Sequence, residues 1–177
     1  MSALFENISY LKSGNPRQQA AFRVLSDFRI MEALAGYQPL LAGTIPIGID
    51  IESSDLDILC TWADPDEFIH HVQQHFGHFE QFQCSQMQVK GWETVLASFR
   101  AGEMEIEIFG QQRPSHEQPG WRHMIVEQRL LMQHGEDFRQ QIIALKRRGI
   151  KTEPAFAQVL GLEGDPYEAL LEMEIYP

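Results

Sequence analysis

A chain of 177 residues with 44% hydrophobic and 22% charged positions has ordinary globular composition, which excludes a disordered or fibrous protein and points to one domain. Its formal charge of −11, from 14 basic against 25 acidic residues, removes any general attraction for nucleic acid or anionic membranes. The longest uncharged apolar run, residues 39–49, is too short to span a bilayer and is broken by Pro46 and Gly48.

The N-terminal MSALFENISYLKSG has neither a basic nor a long apolar segment, so no secretory signal is expected. Asn15-Pro16 is a helix start, and Ala20, Ala21, Val24, Leu25, Phe28, Met31, Leu34 and Ala35 recur at three- and four-residue steps. One helix over 16–36 with a single buried stripe is expected, closed by Gly36 as C-cap. QPLLA at 38–42 reads as a short strand feeding a Gly43-Thr44 turn. Isoleucines 45, 47, 49 and 51 alternate as on an extended arm, whose solvated side would carry Asp50 and Glu52. Residues 55–61 form a strand with Asp55, Asp57 and Leu59 on one face and Leu56, Ile58 and Cys60 on the other. Asp64-Pro65 opens a helix to Phe76, stopped by Gly77.

Strands at 79–88, 93–100 and 103–109, with turns at Gly91 and Gly102, predict an antiparallel meander. After Pro114 the chain turns helical, with one helix built on Trp121, Met124, Ile125, Leu131 and Met132. A second spans 136–148, with Glu136 and Asp137 at its positive end and Lys146 to Arg148 at its negative end. Pro154 and Asp165-Pro166 start two short helices. The expectation is an α+β core over 1–113 with a helical region, 114–177, packed on it as one unit. Cys60 and Cys84 form no CxxC motif and read as reduced thiols of a cytoplasmic protein.

Chemistry concentrates in SDLDI. Asp55 and Asp57 share a strand face with Cα atoms about 7 Å apart. Such a pair can reach two divalent cations roughly 4 Å apart, and hard oxygen ligands suit Mg²⁺ or Mn²⁺. Alone, Asp-x-Asp is common as the polar side of a half-exposed strand. The apolar flanks, and a second acidic strand carrying Glu103, Glu105 and Glu107 opposite Met104, Ile106 and Ile108, turn the reading toward a metal site. A small-residue turn at Gly43-Thr44 leaves backbone N–H groups and a hydroxyl free for phosphate.

His123 and Glu127 stand at i and i+4 on one helix face. They read either as the lining of an acceptor pocket, with Glu127 an alternative base, or as a surface pair. His71 and His75 have zinc-ligand spacing but lack a completing residue, so a solvated helix face is expected. Phe22, Phe28, Phe68, Phe76, Trp92 and Trp121 fit core packing better than base stacking.

The spacing GT-x10-DLDI resembles the signature of the nucleotidyltransferase superfamily, whose core is shared with the palm of polymerase beta. GTIPI, SDLDI, EIEIFGQ and EQPGWRHMIVEQRLL also resemble a bacterial branch of that superfamily and its small-molecule antibiotic nucleotidyltransferases. The resemblance implies a nucleotidyltransferase-like mixed β-sheet with flanking helices and a helical C-terminal half. It places Gly43 and Thr44 in the turn and Asp55 and Asp57 as metal ligands, with Glu107, or else Glu105, as the third acid. It implies Mg²⁺- or Mn²⁺-dependent transfer of a nucleoside monophosphate from an NTP to an acceptor hydroxyl. The spare carboxylate of the second acidic strand would take the acceptor's proton. The expected partners are a nucleotide and a small-molecule acceptor, with no nucleic acid or membrane; transfer to a protein side chain is the variant that sequence leaves open, as it does the oligomeric state.

The loop after the turn, Ile45 to Asp50, lacks the basic residue that superfamily members often carry there. Triphosphate charge would be met from elsewhere, by Lys90, Arg100, Arg113 or Arg122, with His123 nearby. The alternative is a catalytically inactive binding or partner-neutralising protein on the same fold.

Overall fold

The computed structural model describes residues 2–173. Its framework is one five-stranded mixed sheet in the order β1-β2-β5-β4-β3, built from β1 (Leu40–Ala42), β2 (Leu56–Thr61), β3 (Glu80–Val89), β4 (Trp92–Ala101) and β5 (Met104–Gln111). Helices α1 (Pro16–Asp27) and α2 (Ile30–Ala33) precede it, and α3 (Pro65–Phe76) joins β2 to β3. Helices α4 (Pro119–Arg147), α5 (Thr152–Leu160) and α6 (Pro166–Glu172) follow. The helical region expected over 114–177 includes residues 174–177, which lie outside the described residues. No helix among the described residues is long and apolar enough to cross a membrane.

Strands β3, β4 and β5 form the expected antiparallel meander. Val89 pairs with Trp92 across a two-residue turn in which Lys90 and Gly91 both have positive φ, the hairpin geometry that matches strand twist. Strand β2 instead lies parallel to β5, and a parallel neighbour needs a crossover. Helix α3 begins that crossover, with the Asp64 carboxylate accepting from the Asp66 and Glu67 amides.

The sheet separates two cores. On one face Leu56, Ile58, Cys60, Ile106 and Ile108 pack with α1 and α3, and Phe76 stacks on Phe99 at 4.9 Å. On the other face Ala42 and Leu59 meet Trp121, Met124, Phe138, Ile142, Phe156 and Leu170 from α4 to α6. This second core covers the β1–β2 end, and beyond it the face opens into a cleft.

Three expectations are corrected. The helix over 16–36 is broken at Arg29, which takes a left-handed φ of 53°, and Gly36 lies in a 3-10 turn that ends at a left-handed Gln38. The break re-phases the stripe: Ile30 becomes fully buried while Phe28 turns outward, 43% exposed, against Phe79. The isoleucine arm is not extended. Residues 44–48 form a turn, in which the Gly48 N–H donates to Ile45 O and the Ile49 N–H to Thr44 O, each at 3.1 Å. Its isoleucines are buried because the turn lies between the cores, with Ile45 in the first and Ile47 and Ile49 in the second. Trp92 is not core: it is 42% exposed on the cleft rim. The remaining boundaries follow the sequence closely, including two helical segments after Pro119, which meet at Gly135 with φ 78°.

Gln18 ties α1 to this turn. Its Oε1 accepts from the Asn15 amide in a capping box, while its Nε2 donates to Ile45 O and Pro46 O at 2.9 Å. Gln18→Ala removes one cap bond and orphans two carbonyls, so urea unfolding should show a loss of about 2 kcal/mol.

Candidate metal centre

In the parallel register Asp57 of β2 lies directly beside Glu107 of β5, and on its other side beside Ala42 of β1. Asp55 stands one residue before β2. One carboxylate oxygen from each of Asp55, Asp57 and Glu107 lies within 4.8 Å of the others, and all three residues are half-buried. Burial, then the charges of Asp55 and Glu107, then Glu153, push the Asp57 carboxyl up to about 7, with Lys146 opposing. Burial, Asp55 and Glu105 likewise raise Glu107. Three hard oxygen donors forced together suit a divalent cation, whose charge relieves both desolvation and repulsion. Glu105 faces Arg100 across the β4–β5 ladder, is exposed, and stands outside this cluster.

The turn beside the triad is built around Asp57. Gly43 has φ 82°, and a Cβ there would run into Asp57 Oδ2, so only glycine admits this close approach. The Thr44 hydroxyl is 3.2 Å from that of Ser54, which accepts from the Ile51 amide. The following loop is held from outside. Arg139 donates to Ile47 O and Gly48 O, Lys146 Nζ to Ile49 O at 2.8 Å, and Arg17 to Ser54 O at 2.9 Å. Arg147 pairs with the exposed Glu52 at 3.1 Å.

Gly43, Thr44 and the triad line a cleft of about 900 Å³ whose other wall comes from α4, α5 and α6. His123 and Glu127 lie on that wall at 5% and 3% exposure, so they are not a surface pair. His123 Nε2 lies 2.9 Å from Tyr167 O, and its Nδ1 is 3.6 Å from the Glu153 carboxylate. Glu127 Oε1 has no hydrogen-bond partner among the described residues. Burial and Glu153 push its carboxyl up to about 8, again with Lys146 opposing, while burial lowers Lys146.

The cations named from sequence divide. Arg113 lies on the rim with its guanidinium 4.7 Å from the centre of the Trp92 ring, and Lys90 stands 5.5 Å over Tyr167; both line the cleft. Arg100 points along the meander to Glu103 O, and Arg122, half-buried on α4, is not among the cleft residues. The rings of His71 and His75 lie 4.1 Å apart, tilted at 44°, and His71 Nε2 lies 2.8 Å from Ala33 O. The only group of three or more metal-type ligands among the described residues is the carboxylate triad.

Sequence reasoning missed Lys146, Lys151, Glu153, Trp92 and Tyr167 as cleft residues. A signal existed for Lys146, which is in helical phase with the buried Phe138 and Ile142 and is itself 7% exposed. For Lys151, Glu153 and Tyr167 there was none, since their place depends on how α5 and α6 fold back over α4.

Residues 23–173 match the family model described as Domain of unknown function (DUF4269). No curated protein matches the chain. Among solved structures, the fold is similar to Cid1 poly(U) polymerase bound to MgGTP, with a TM-score of 0.55 and 9% identity over 75% of this chain and 42% of that one. A Cid1 mutant bound to MgATP gives a TM-score of 0.58 and 11% identity, over 83% and 49% of the two chains. The GLD-2/RNP-8 complex gives 0.55 and 10%, over 86% and 61%. The chain thus spans from two-fifths to three-fifths of the length of these proteins, and what it shares with them is the polymerase-beta-like nucleotidyltransferase fold.

Two variants test the strain built into this centre. Asp57 titrates near 7 in the fold against 3.8 ordinarily, so between those values the folded chain holds a proton that the unfolded chain has lost. The associated stability is full below pH 4 and is lost as the pH rises through 7. Without metal, Asp57→Asn should therefore exceed the parent by about 2 kcal/mol in urea at pH 8, a gap that closes as the pH falls toward 4. Gly43→Ala should cost about 2 kcal/mol in the same assay, from its φ and from displacement of Asp57.

Proposed function

We propose that this chain, which belongs to the family described as Domain of unknown function (DUF4269), is a divalent-metal-dependent nucleotidyltransferase that moves a nucleoside monophosphate from an NTP to a hydroxyl of a small molecule. The observation that carries the reading is the convergence of Asp55, Asp57 and Glu107 beside the Gly43-Thr44 turn, at the edge of a cleft on a nucleotidyltransferase fold.

Asp55, Asp57 and Glu107 would hold Mg²⁺ or Mn²⁺. Bound there, the cation would supply polarisation of the phosphate oxygens and acidify the acceptor hydroxyl. The Gly43-Thr44 turn presents its hydroxyl and backbone to the phosphates. Because the loop after it has no basic residue, the triphosphate is met by the cleft cations Lys90, Arg113 and Lys151. The acceptor oxygen attacks the α-phosphorus in line, the bond from that phosphorus to the bridging oxygen breaks, and pyrophosphate leaves. With Glu107 holding the cation, the hydroxyl proton would pass to Glu127, a carboxylate that lines the cleft outside the triad. Glu105 is exposed and outside the cleft, which speaks against a part in this step.

A small acceptor, as in the antibiotic nucleotidyltransferases, is supported by the cleft's size and by the charge of −11, which repels a polyanionic strand. On this point the reading departs from the solved relative described as a poly(U) polymerase. The free thiols of Cys60 and Cys84 suit a cytoplasmic setting. The absent loop cation favours a second reading, a catalytically inactive binding or partner-neutralising protein.

Thermal unfolding with each NTP, with and without Mg²⁺ or Mn²⁺, separates the two. The enzyme reading expects at least one NTP to raise Tm by several degrees only when metal is present, with the response abolished in Asp57→Asn. An unchanged Tm with every NTP and metal would overturn it in favour of the binding protein.

A further inference from the structure

We propose that the free edge of β3 is a dimerisation surface, on which a second copy of this chain lays its own β3 antiparallel to make one continuous sheet. Residues 80–88 lie outside the cleft, so this role does not depend on the reaction proposed above. Strand β3 is the outermost of the sheet, ten residues long, and pairs on one side only, with β4. Ser85, Gln86, Met87 and Gln88 are all exposed, and because side chains alternate, neither face of the sheet is covered there. These four residues belong to neither core.

The hairpin fixes which backbone groups face outward. Its two-residue turn makes Val89 and Trp92 a hydrogen-bonded pair, so the N–H and C=O of Val89, Met87 and Ser85 point to β4. Those of Gln88, Gln86 and Cys84 point away from it. Among the described residues none of these three gives its backbone to a hydrogen bond outside the sheet. Residues 81–89 carry no charge and no proline, the usual devices that close an exposed edge to another strand. The bulge between Glu80 and Gln83 disturbs only the start of the strand, and from Gln83 to Val89 the register is unbroken.

The occupant is a second copy because the edge is complementary to itself. Two chains of charge −11 repel wherever their acidic surfaces meet, and residues 81–89 give them an uncharged line of approach. A two-fold axis at Gln86 sets Gln86 opposite Gln86, Cys84 opposite Gln88 and Ser85 opposite Met87. All three outward residues of each strand then find backbone partners. A lysine or glutamate on the axis would repel itself, whereas a carboxamide both donates and accepts. Gln86 Nε2 donates to Glu93 Oε1 at 2.6 Å, which leaves its second N–H and its carbonyl oxygen for the same group of the other copy. Pairing also covers Met87, which is 40% exposed. The opposite edge of the sheet, β1, is only three residues long, so the assembly closes at two copies instead of growing.

Sedimentation equilibrium of the full chain from about 1 to about 100 μM tests this, the range in which a short edge interface associates. Twice the monomer mass is expected at the upper end, with amide exchange slowing on association at Cys84, Gln86 and Gln88. Gln86→Pro removes one outward N–H and leaves the β3–β4 ladder intact. Gln86→Lys sets like charges across the axis while still pairing with Glu93 in its own chain. Each should weaken association about tenfold or more, with the unfolding temperature at low concentration unchanged. If Gln86→Pro does not fold, Gln86→Lys carries the test alone. A monomer throughout the range overturns the proposal. So does a dimer whose protected amides lie on another surface, or one that a folded variant leaves undiminished.

Discussion

The parallel pairing of β2 with β5 is the constraint on which the rest of this structure depends. It sets Asp57 beside Glu107, two carboxylates that repel each other and form no ion pair among the described residues, with Lys146 opposing the repulsion at Asp57. Their register is enforced from the opposite face, where Leu56, Ile58, Ile106 and Ile108 are fully buried against α1 and α3. A slip of one residue would turn those side chains out and drive the acids into the core. The apolar core thus holds together a cluster that electrostatics would push apart. Gly43 belongs to the same constraint, because no Cβ fits between β1 and the Asp57 carboxylate.

The loop between the Gly43-Thr44 turn and β2 is organised by its neighbours rather than by its own chemistry. Its isoleucines anchor it in both cores, and its carbonyls are capped by Gln18 from α1 and by Arg139 and Lys146 from α4. Basic residues are thereby present around the turn although none lies within residues 45–50, and they act as structural ties. The cations that face the cleft come instead from the β3–β4 hairpin, the segment after β5 and the start of α5. The positive charge facing the cleft is assembled from three distant parts of the chain, and so a loop-centred view of the motif misjudges it.

The departures from the sequence reading share one cause. Periodicity reports which residues are apolar, but not which of two cores receives them. Alternating isoleucines imitate a strand when a turn lies between cores, as at 45–49. A helical stripe can be re-phased by one left-handed residue, as Arg29 does when it buries Ile30 and exposes Phe28. His123 and Glu127 looked equally suited to a surface or a pocket, and the packing of α5 and α6 over α4 decided the matter by closing over them.

Local chemistry was legible where a short stretch carries its own physical reason. The Asp64-Pro65 cap, the Gly91 hairpin, the strand alternation of 55–61 and 103–109, and the acidic faces of both strands all follow from residues a few positions apart. The paired aspartates of SDLDI were visible as an anomaly that needed a third group. Only the tertiary structure brings Glu107, and not Glu105, beside them, since that depends on the register between strands far apart in the chain. It alone decided that Glu127, Lys146 and Glu153 gather on the facing wall, because long-range packing brings them together and no local propensity encodes it.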